Sequence, residues 1–331
     1  MRYSTLGNSD LQVPAISFGA WAAGGWMWGG TDDAAAIEAM RRAIDLGVTC
    51  IDTAPMYGMG HSERLVGKAI RGRRDDVIVA TKCGLRWDKE EGEPSFTTTG
   101  LDGKSYSVYR NLRPESIAYE CEQSLQRLGI DTIDLYQCHW PDPTVPIADT
   151  MGALAKLREQ GKIRWYGVSN FTVPMLEECI AAGGVTSDQP PYSPLRRDIE
   201  ADVLPFCREH NIGVLIYSPL DSGLMTGRVT MDRVFPETDL RHGHPWFQPK
   251  NRKRVIDMLE KVRPIAQGHG ATLGQTMLAW LLAQPGITTA LVGARSPEQV
   301  AENAGAADVR LSDEEVAAIR GLLDALGGPE S

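Results

Sequence analysis

Polar side chains stand at the ends of six short, β-rich segments of this 331-residue sequence. They are Asp52, Lys82, His139, the pair Ser169 and Asn170, Gln189, and the pair Tyr217 and Ser218. Taken singly, each has an ordinary structural explanation: Asp52 can cap a helix, Lys82 can lay its stem over apolar surface, and His139 can be a hydrogen-bonded core residue. Their recurrence at equivalent positions instead predicts one shared site, because parallel barrel strands end on one face.

The elements that must position these side chains alternate regularly along the chain. Strands are predicted at residues 15–18, 48–52, 77–82, 133–139, 163–169, 187–189, 213–218 and 288–292. Helices are predicted at residues 32–46, 62–70, 114–128, 147–159, 173–182, 199–210, 251–284 and 297–304. Such alternation predicts parallel strands with helical crossovers, and eight units without a linker predict a single (β/α)8 TIM-barrel domain over residues 1–331. A doubly wound open sheet is the alternative architecture.

Two segments lie outside this repeat. Residues 3–6 and 11–13 predict a β-hairpin before the first barrel strand, and residues 313–326 predict an amphipathic C-terminal helix. We expect the hairpin to plug the barrel floor and the helix to pack on its side. Segments 83–113 and 219–250 are expected to be long loops, which are usually functional or mobile.

Composition disfavours several classes of partner. With 34 basic and 43 acidic residues the net charge is −9, which disfavours nucleic acid and anionic membrane. No apolar run reaches the ~18–20 residues of a membrane span, and the N-terminus does not resemble a signal peptide. The six cysteines are scattered without metal-ligand spacing, and His242 and His244 lack supporting ligands, so no metal is expected. We therefore expect a cytoplasmic protein with reduced cysteines.

Several segments closely resemble the aldo-keto reductase family. They are residues 51–58 (IDTAPMYG), 80–82 (ATK), 136–139 (YQCH), 161–164 (GKIR), 167–171 (GVSNF), 217–220 (YSPL), 293–295 (GAR) and 302–303 (EN). The match spans nearly the whole chain in order and is nearest to bacterial members with a Gly-Ala-Arg cofactor segment. It implies a (β/α)8 barrel that reduces aldehydes or ketones with a nicotinamide cofactor held without a Rossmann fold.

The resemblance implies four catalytic residues. Tyr57 is the general acid, or the base in the oxidative direction, and Lys82 tunes its pKa. Asp52 orients the lysine, and His139 positions the substrate oxygen. The chemistry is consistent, because a carbonyl that accepts hydride develops negative charge, and a tyrosine of pKa near 10 donates more readily beside a cation.

The resemblance also implies the cofactor contacts, with NADPH preferred and NADH the alternative. The implied residues are Gly19, Ala20, Trp21, Asp52, Ser169, Asn170, Gln189, Tyr217, Ser218, Pro219, Leu220, Ser222, Gly223, Leu224, Gly293, Ala294, Arg295, Gln299, Glu302 and Asn303. Ser169, Asn170 and Gln189 should bond the carboxamide, and Tyr217 should stack on the nicotinamide ring. Arg295, beside a predicted helix start, should hold the adenosine 2′-phosphate and is the one evident cation of its segment.

Aromatic residues predict an apolar substrate pocket. Trp21, Trp26, Met56, Trp87 and Trp140 lie in loops at the catalytic face of the predicted barrel. For Trp26 and Trp87, packing of the loops themselves is the alternative interpretation. A small-molecule carbonyl compound is therefore the expected partner; the sequence leaves its identity and the oligomeric state open.

Two other functions compete with this one. A lysine at a barrel strand end can form a Schiff base, as in a lyase. A non-catalytic subunit that senses redox state by binding NADP(H) is the second alternative.

Overall fold

The computed structural model describes residues 1–30 and 32–330. Its strands are β1 (Tyr3–Thr5), β2 (Gln12–Pro14), β3 (Ile16–Gly19), β4 (Cys50–Asp52), β5 (Ile78–Cys83), β6 (Leu85–Arg86), β7 (Glu93–Thr99), β8 (Ser105–Arg110), β9 (Ile133–Cys138), β10 (Ile163–Ser169), β11 (Ser187–Gln189), β12 (Gly213–Ile216) and β13 (Thr289–Gly293). Its α-helices are α1 (Asp33–Asp45), α2 (His61–Ala69), α3 (Pro114–Leu128), α4 (Ile147–Glu159), α5 (Val173–Ala181), α6 (Val203–Glu209), α7 (Pro249–Gly268), α8 (Leu273–Leu282), α9 (Pro297–Gly305) and α10 (Asp313–Leu326).

Eight parallel strands close into a barrel in the order β3-β4-β5-β9-β10-β11-β12-β13. The barrel closes where β13 pairs with β3, and there the hydroxyls of Ser17 and Thr289, 272 residues apart in sequence, hydrogen-bond at 2.7 Å. The predicted (β/α)8 barrel is confirmed, and the open sheet is excluded. Every predicted barrel strand overlaps an observed one.

Helix α1 illustrates how the outer helices form. The Asp32 carboxylate accepts hydrogen bonds from the backbone N–H groups of Ala34 and Ala35, which caps the helix start. Its apolar residues recur at helical spacing, and Ala36, Ala39, Met40, Ala43 and Ile44 are buried. Only one stripe of the helix is apolar, so the helix lies flat against the barrel wall.

The N-terminal hairpin plugs the barrel floor, as predicted. Strands β1 and β2 pair antiparallel, and Leu6, Leu11 and Val13 pack against the inward side chains of the barrel strands. Those inward side chains are Cys50, Ala80, Leu135, Leu215 and Leu291. The hairpin therefore seals the end of the barrel opposite the strand C-termini.

Helix α10 packs on the barrel side, again as predicted. The Trp280 indole of α8 donates to the Val316 carbonyl of α10 at 3.1 Å. Arg320 of α10 forms an ion pair with Glu200 at 2.7 Å. These contacts fasten the C-terminal helix over α8 and the segment before α6.

Two predicted segments differ from the structure. Residues 83–113 are not simply a loop, because β6, β8 and β7 form a three-stranded antiparallel sheet. Residues 251–284 are not one helix, because α7 ends at Gly268 and a new helix begins after Thr272. Thr272 and Gln275 form a reciprocal capping box, which makes residue 272 a helix start.

The cysteines are all free and buried, as expected of reduced core residues. Within residues 1–30 and 32–330, no helix combines the length and the apolar character that crossing a membrane requires.

The hairpin plug yields a stability prediction. Leu6→Ala should lower the free energy of unfolding by ~2–5 kcal/mol, because it leaves a cavity under the barrel core. Chemical denaturation monitored by tryptophan fluorescence measures the change. Gln12→Ala, on the exposed side of the same hairpin, is the matched control and should change stability by about 0.5 kcal/mol or less. Equal losses in the two variants would contradict the plug.

Candidate active site

The C-terminal ends of the second, third and fourth barrel strands bring the four predicted catalytic residues together. Asp52 ends β4, Lys82 lies near the end of β5, and His139 follows β9. Tyr57 lies on the loop after β4, with its ring 5.7 Å from the His139 ring, centroid to centroid. Residues scattered over about 90 positions of sequence thus share one site.

The Lys82 ammonium lies at the centre of this cluster and is fully buried. It donates to Asp52 Oδ1 at 2.6 Å, to the Thr53 carbonyl at 3.0 Å and to the Tyr57 hydroxyl at 3.3 Å. An ammonium group has three donors and no acceptor, so all three are used. Because Tyr57 accepts from Lys82, its own proton is left to donate elsewhere.

Burial and charge set the protonation states here. Burial acts to lower the pKa of Lys82, but Asp52 and Tyr57 outweigh it and raise the pKa above its ordinary value. Burial raises the pKa of Tyr57 by more than Lys82 lowers it. Burial, and then Lys82, hold the pKa of His139 well below its usual range. Near neutral pH the site therefore holds an ammonium, a phenol and a neutral imidazole.

Amides complete the shell around Asp52. Its Oδ2 accepts from Gln189 Nε2 at 2.8 Å and from Gln137 Nε2 at 3.3 Å. Gln137 was not predicted as a site residue, although β9 pairs it directly with Lys82 of β5. Partners in register point to the same face, so this pairing was the signal that could have found it.

The predicted nicotinamide contacts form a chain of hydrogen bonds. Ser169 Oγ donates to the Gln189 carbonyl at 2.7 Å, and Asn170 Nδ2 donates to the His139 carbonyl at 3.0 Å. The Tyr217 hydroxyl donates to Asn170 Oδ1 at 2.9 Å. Asn170 has φ +65°, a left-handed conformation that asparagine tolerates better than most residues. These hydrogen bonds fix the orientation of the three side chains beside the catalytic cluster.

A cavity of about 420 Å³ runs from the catalytic cluster toward α9. Its lining includes Gly19, Trp21, Asp52, Tyr57, Gln189, Tyr217, Ser218, Pro219, Leu220, Ser222, Gly223, Gly293, Ala294, Arg295, Gln299, Glu302 and Asn303. All were predicted as site residues. Ala20 and Leu224 are buried, and neither they nor Ser169 and Asn170 are among the lining residues.

The cavity also holds cations that the sequence did not reveal. Arg228, Arg233 and Arg241 line it together with Arg295. Arg241 binds Asp239 bidentately, at 2.8 and 2.6 Å, and Arg228 is paired with Glu302. Within the described part of the chain, Arg233 and Arg295 form no ion pair. The three additional arginines come from segment 219–250, where no periodic pattern points to their orientation.

Two loops meet across the mouth of this cavity. Trp28 and Asp239 form a β-bridge, and the Leu240 N–H donates to the Met27 carbonyl at 3.2 Å. Arg295 donates to the Trp28 carbonyl at 3.3 Å. Segment 219–250 is thus fastened to the loop after β3. His242 and His244, in the same segment, contact the Phe235 carbonyl and the Trp246 N–H.

Four of the five predicted substrate-pocket residues cluster around Tyr57. Trp21 stacks on the Tyr57 ring at 5.9 Å, and Trp26, Met56 and Trp87 pack in the same group. The Trp26 indole donates to Thr98 of β7 at 3.1 Å, which draws the β6–β8 sheet over the cluster. Trp140 is not part of that group; it is about one-third exposed and lies under the Arg110 guanidinium.

Comparison with known proteins agrees with this geometry. The model of the Aldo/keto reductase family matches residues 15–324. The NADH-specific methylglyoxal reductase of Escherichia coli is 39% identical over 98% of this chain and 99% of its own length. The glycerol dehydrogenase AKR11B4 of Gluconobacter oxydans superposes with a TM-score of 0.88 at 37% identity, over 99% of this chain and 97% of that one.

A further solved structure contains a cofactor. An aldo/keto reductase of Klebsiella pneumoniae in complex with NADP and acetate gives a TM-score of 0.72 at 30% identity, over 100% of this chain and 97% of that one. Sequence, barrel and catalytic cluster therefore agree: the chain belongs to the aldo/keto reductase family.

Proposed function

We propose that this protein transfers a hydride between NADP(H) and an aldehyde or ketone, with Tyr57 as the general acid. The observation that carries the proposal is the hydrogen bonding of Lys82. All three of its donors are used on Asp52, Thr53 and Tyr57, so the tyrosine proton is free for a ligand oxygen.

Each residue of the cluster then has a chemical task. The reduced nicotinamide, when bound, supplies the hydride. Tyr57 gives its proton to the carbonyl oxygen as negative charge develops there, and Lys82 stabilises the phenolate that remains. The neutral imidazole of His139, whose ring lies edge-on to that of Tyr57, donates a hydrogen bond that directs the same oxygen. Asp52 keeps the ammonium in place.

The same arrangement argues against Schiff-base chemistry. A lysine attacks a carbonyl through the lone pair of its neutral amine. The raised pKa of Lys82 keeps it protonated, since the favourable contacts with Asp52 and Tyr57 outweigh burial. A lysine without a free lone pair is suited to tuning an acid rather than to acting as a nucleophile.

The cavity has features that suit a dinucleotide phosphate. After β12, Ser218, Asp221, Ser222 and Gly223 all have positive φ, and such turns aim backbone N–H groups into a concave surface. Ser296 caps α9 at the other end, where a helix N-terminus favours anions. Tyr217 lines the wall between the catalytic cluster and these turns.

Free cations favour the phosphorylated cofactor. Arg295 and Arg233 line the cavity without a carboxylate partner among the described residues, so each can bind an added phosphate. The Klebsiella pneumoniae structure contains NADP, whereas the Escherichia coli relative is named as NADH-specific. The family thus includes both preferences, and NADH is the alternative cofactor here.

The first test removes the acid. Tyr57→Phe keeps the ring against Trp21, so cofactor binding should survive while carbonyl reduction falls by ~10²–10⁴-fold. NADPH oxidation with a panel of aldehydes and ketones measures the loss, and fluorescence titration measures binding. Tyr119→Phe, at an exposed tyrosine of α3, is the control. If wild type binds NADPH but turns over no carbonyl, the protein is a binding subunit instead.

The second test removes the cation. Lys82→Met should raise the pKa of Tyr57 further, because the one group that lowers it is lost. Alcohol oxidation needs the phenolate of Tyr57. The pH at which the oxidation rate rises should therefore be higher in the variant, and the rate at pH 8 should fall about tenfold or more. Thermal melting checks folding, since an unpaired buried Asp52 can cost about 3–5 kcal/mol. Lys82→Arg keeps the charge; wild-type rates and an unshifted profile in both variants would refute the role.

The third test concerns cofactor choice. Arg295→Ala should raise the dissociation constant of NADPH about tenfold to hundredfold, because a charge-assisted hydrogen bond contributes ~1.5–3 kcal/mol. NADH lacks the phosphate and should be unaffected. Raising the salt concentration should also weaken the binding of NADPH more than the binding of NADH, which titrations at two salt concentrations would measure. Arg263→Ala is the matched control, because this arginine is paired with Glu260 and does not line the cavity. Equal weakening of both cofactors by Arg295→Ala would make Arg295 structural.

A further inference from the structure

Arg110, the last residue of β8, has no hydrogen-bond or ion-pair partner for its side chain among residues 1–30 and 32–330. Its Nε atom is buried without a hydrogen bond, and its guanidinium forms no ion pair with any described carboxylate. Glu93, which stands opposite it in β7, makes no ion pair with it. A buried donor without an acceptor is costly, so the unpaired Nε calls for an explanation.

The register of the sheet points this side chain toward the substrate side of the catalytic cluster. Arg110 pairs with Leu85 of β6, and Val108 lies two residues before it on β8. Paired residues and residues two apart share one face of a sheet. Leu85 and Val108 pack with Trp26 and Met56 in the group around Tyr57, so Arg110 stands on that same face.

An aromatic contact fixes the position of the guanidinium. Its central carbon lies 5.6 Å from the centroid of the Trp140 ring. Trp140 directly follows His139, whose ring adjoins that of Tyr57. The guanidinium thus packs on the residue that follows His139 in sequence, and Arg110 shares its sheet face with Leu85 and Val108, which pack with Trp26 and Met56.

We propose that Arg110 binds a carboxylate at the far end of the substrate, so that the preferred substrates are aldehydes or ketones that carry a carboxylate. The inference rests on the proposed carbonyl reduction and adds the substrate class. A guanidinium binds carboxylate through two parallel N–H groups, and the described residues leave the N–H groups at the end of the Arg110 side chain without a carboxylate partner. The Trp140 ring lies against this guanidinium.

Matched substrates test this directly. Two aldehydes, 4-carboxybenzaldehyde and 4-oxobutanoate, are each compared with their methyl esters, which have the same skeleton without the charge. Wild type should prefer at least one of the acids over its ester by tenfold or more in kcat/KM. Arg110→Met keeps the length of the stem and should raise KM for that acid about tenfold to hundredfold, with kcat and ester reduction nearly unchanged. Arg110→Lys should restore part of the preference.

Controls separate this inference from the proposed function. Arg158→Met removes another arginine that lies over a tryptophan, Trp165, at the floor end of β10, and should leave both substrates unaffected. Reduction of the esters by Arg110→Met shows that the fold and the hydride chemistry are intact. Equal use of acids and esters by wild type, or equal losses of both in Arg110→Met, overturns the role of Arg110. Failure to reduce any carbonyl overturns the proposed function instead.

Discussion

The buried ion pair between Lys82 and Asp52 is the interaction on which the site depends. Its atoms approach to 2.6 Å with both side chains almost wholly excluded from water. If either side chain were removed, the other would remain as an unpaired charge in the protein interior. The fold therefore tolerates each charge only in the presence of the other. Lys82 also hydrogen-bonds the Tyr57 hydroxyl, so the stability of the fold and the geometry of the site rest on the same ion pair.

The barrel compensates for the cost of burying this ion pair. Asp52 and Lys82 come from neighbouring strands, β4 and β5, whose register is set by backbone hydrogen bonds rather than by the charges themselves. The amides of Gln137 and Gln189 approach from β9 and β11 and satisfy the second carboxylate oxygen. Side chains from β5, β9 and β11 thus replace the water that the Asp52 carboxylate of β4 has lost. A shift of register in any of these strands would leave a carboxylate oxygen without one of its hydrogen bonds.

The sequence predicted the barrel and the catalytic cluster because both depend on local patterns. Buried parallel strands are continuous apolar runs, and a polar residue at the end of such a run stands out against them. The β6–β8 sheet was missed because β7 is mostly exposed and shows little apolar alternation. Thr97, Thr98, Tyr106 and Val108, around the turn at Asp102 and Gly103, were the available signal.

The cations of the cavity could not be predicted in the same way. Arg228, Arg233 and Arg241 lie in irregular segments, where orientation depends on distant contacts such as that of Trp28 with Asp239. Gln137 was hidden for a different reason, since it lies inside an apolar strand and becomes a site residue only through its partner in the next strand. Site residues at the ends of strands and helices can therefore be predicted from sequence more readily than those that only packing brings into the site.

The closure of the barrel between β3 and β13 has a consequence for how the chain is made. Ser17 leaves the ribosome 272 residues before Thr289, so the first strand must wait for its second neighbour until synthesis is nearly complete. Contacts this distant in sequence slow folding, because a long loop must be ordered before they form. Meanwhile the apolar side chains of the hairpin have no closed floor to cover. Apolar surface that stays uncovered in a partly folded chain favours aggregation, so late closure of the barrel is the step at which this fold is most vulnerable.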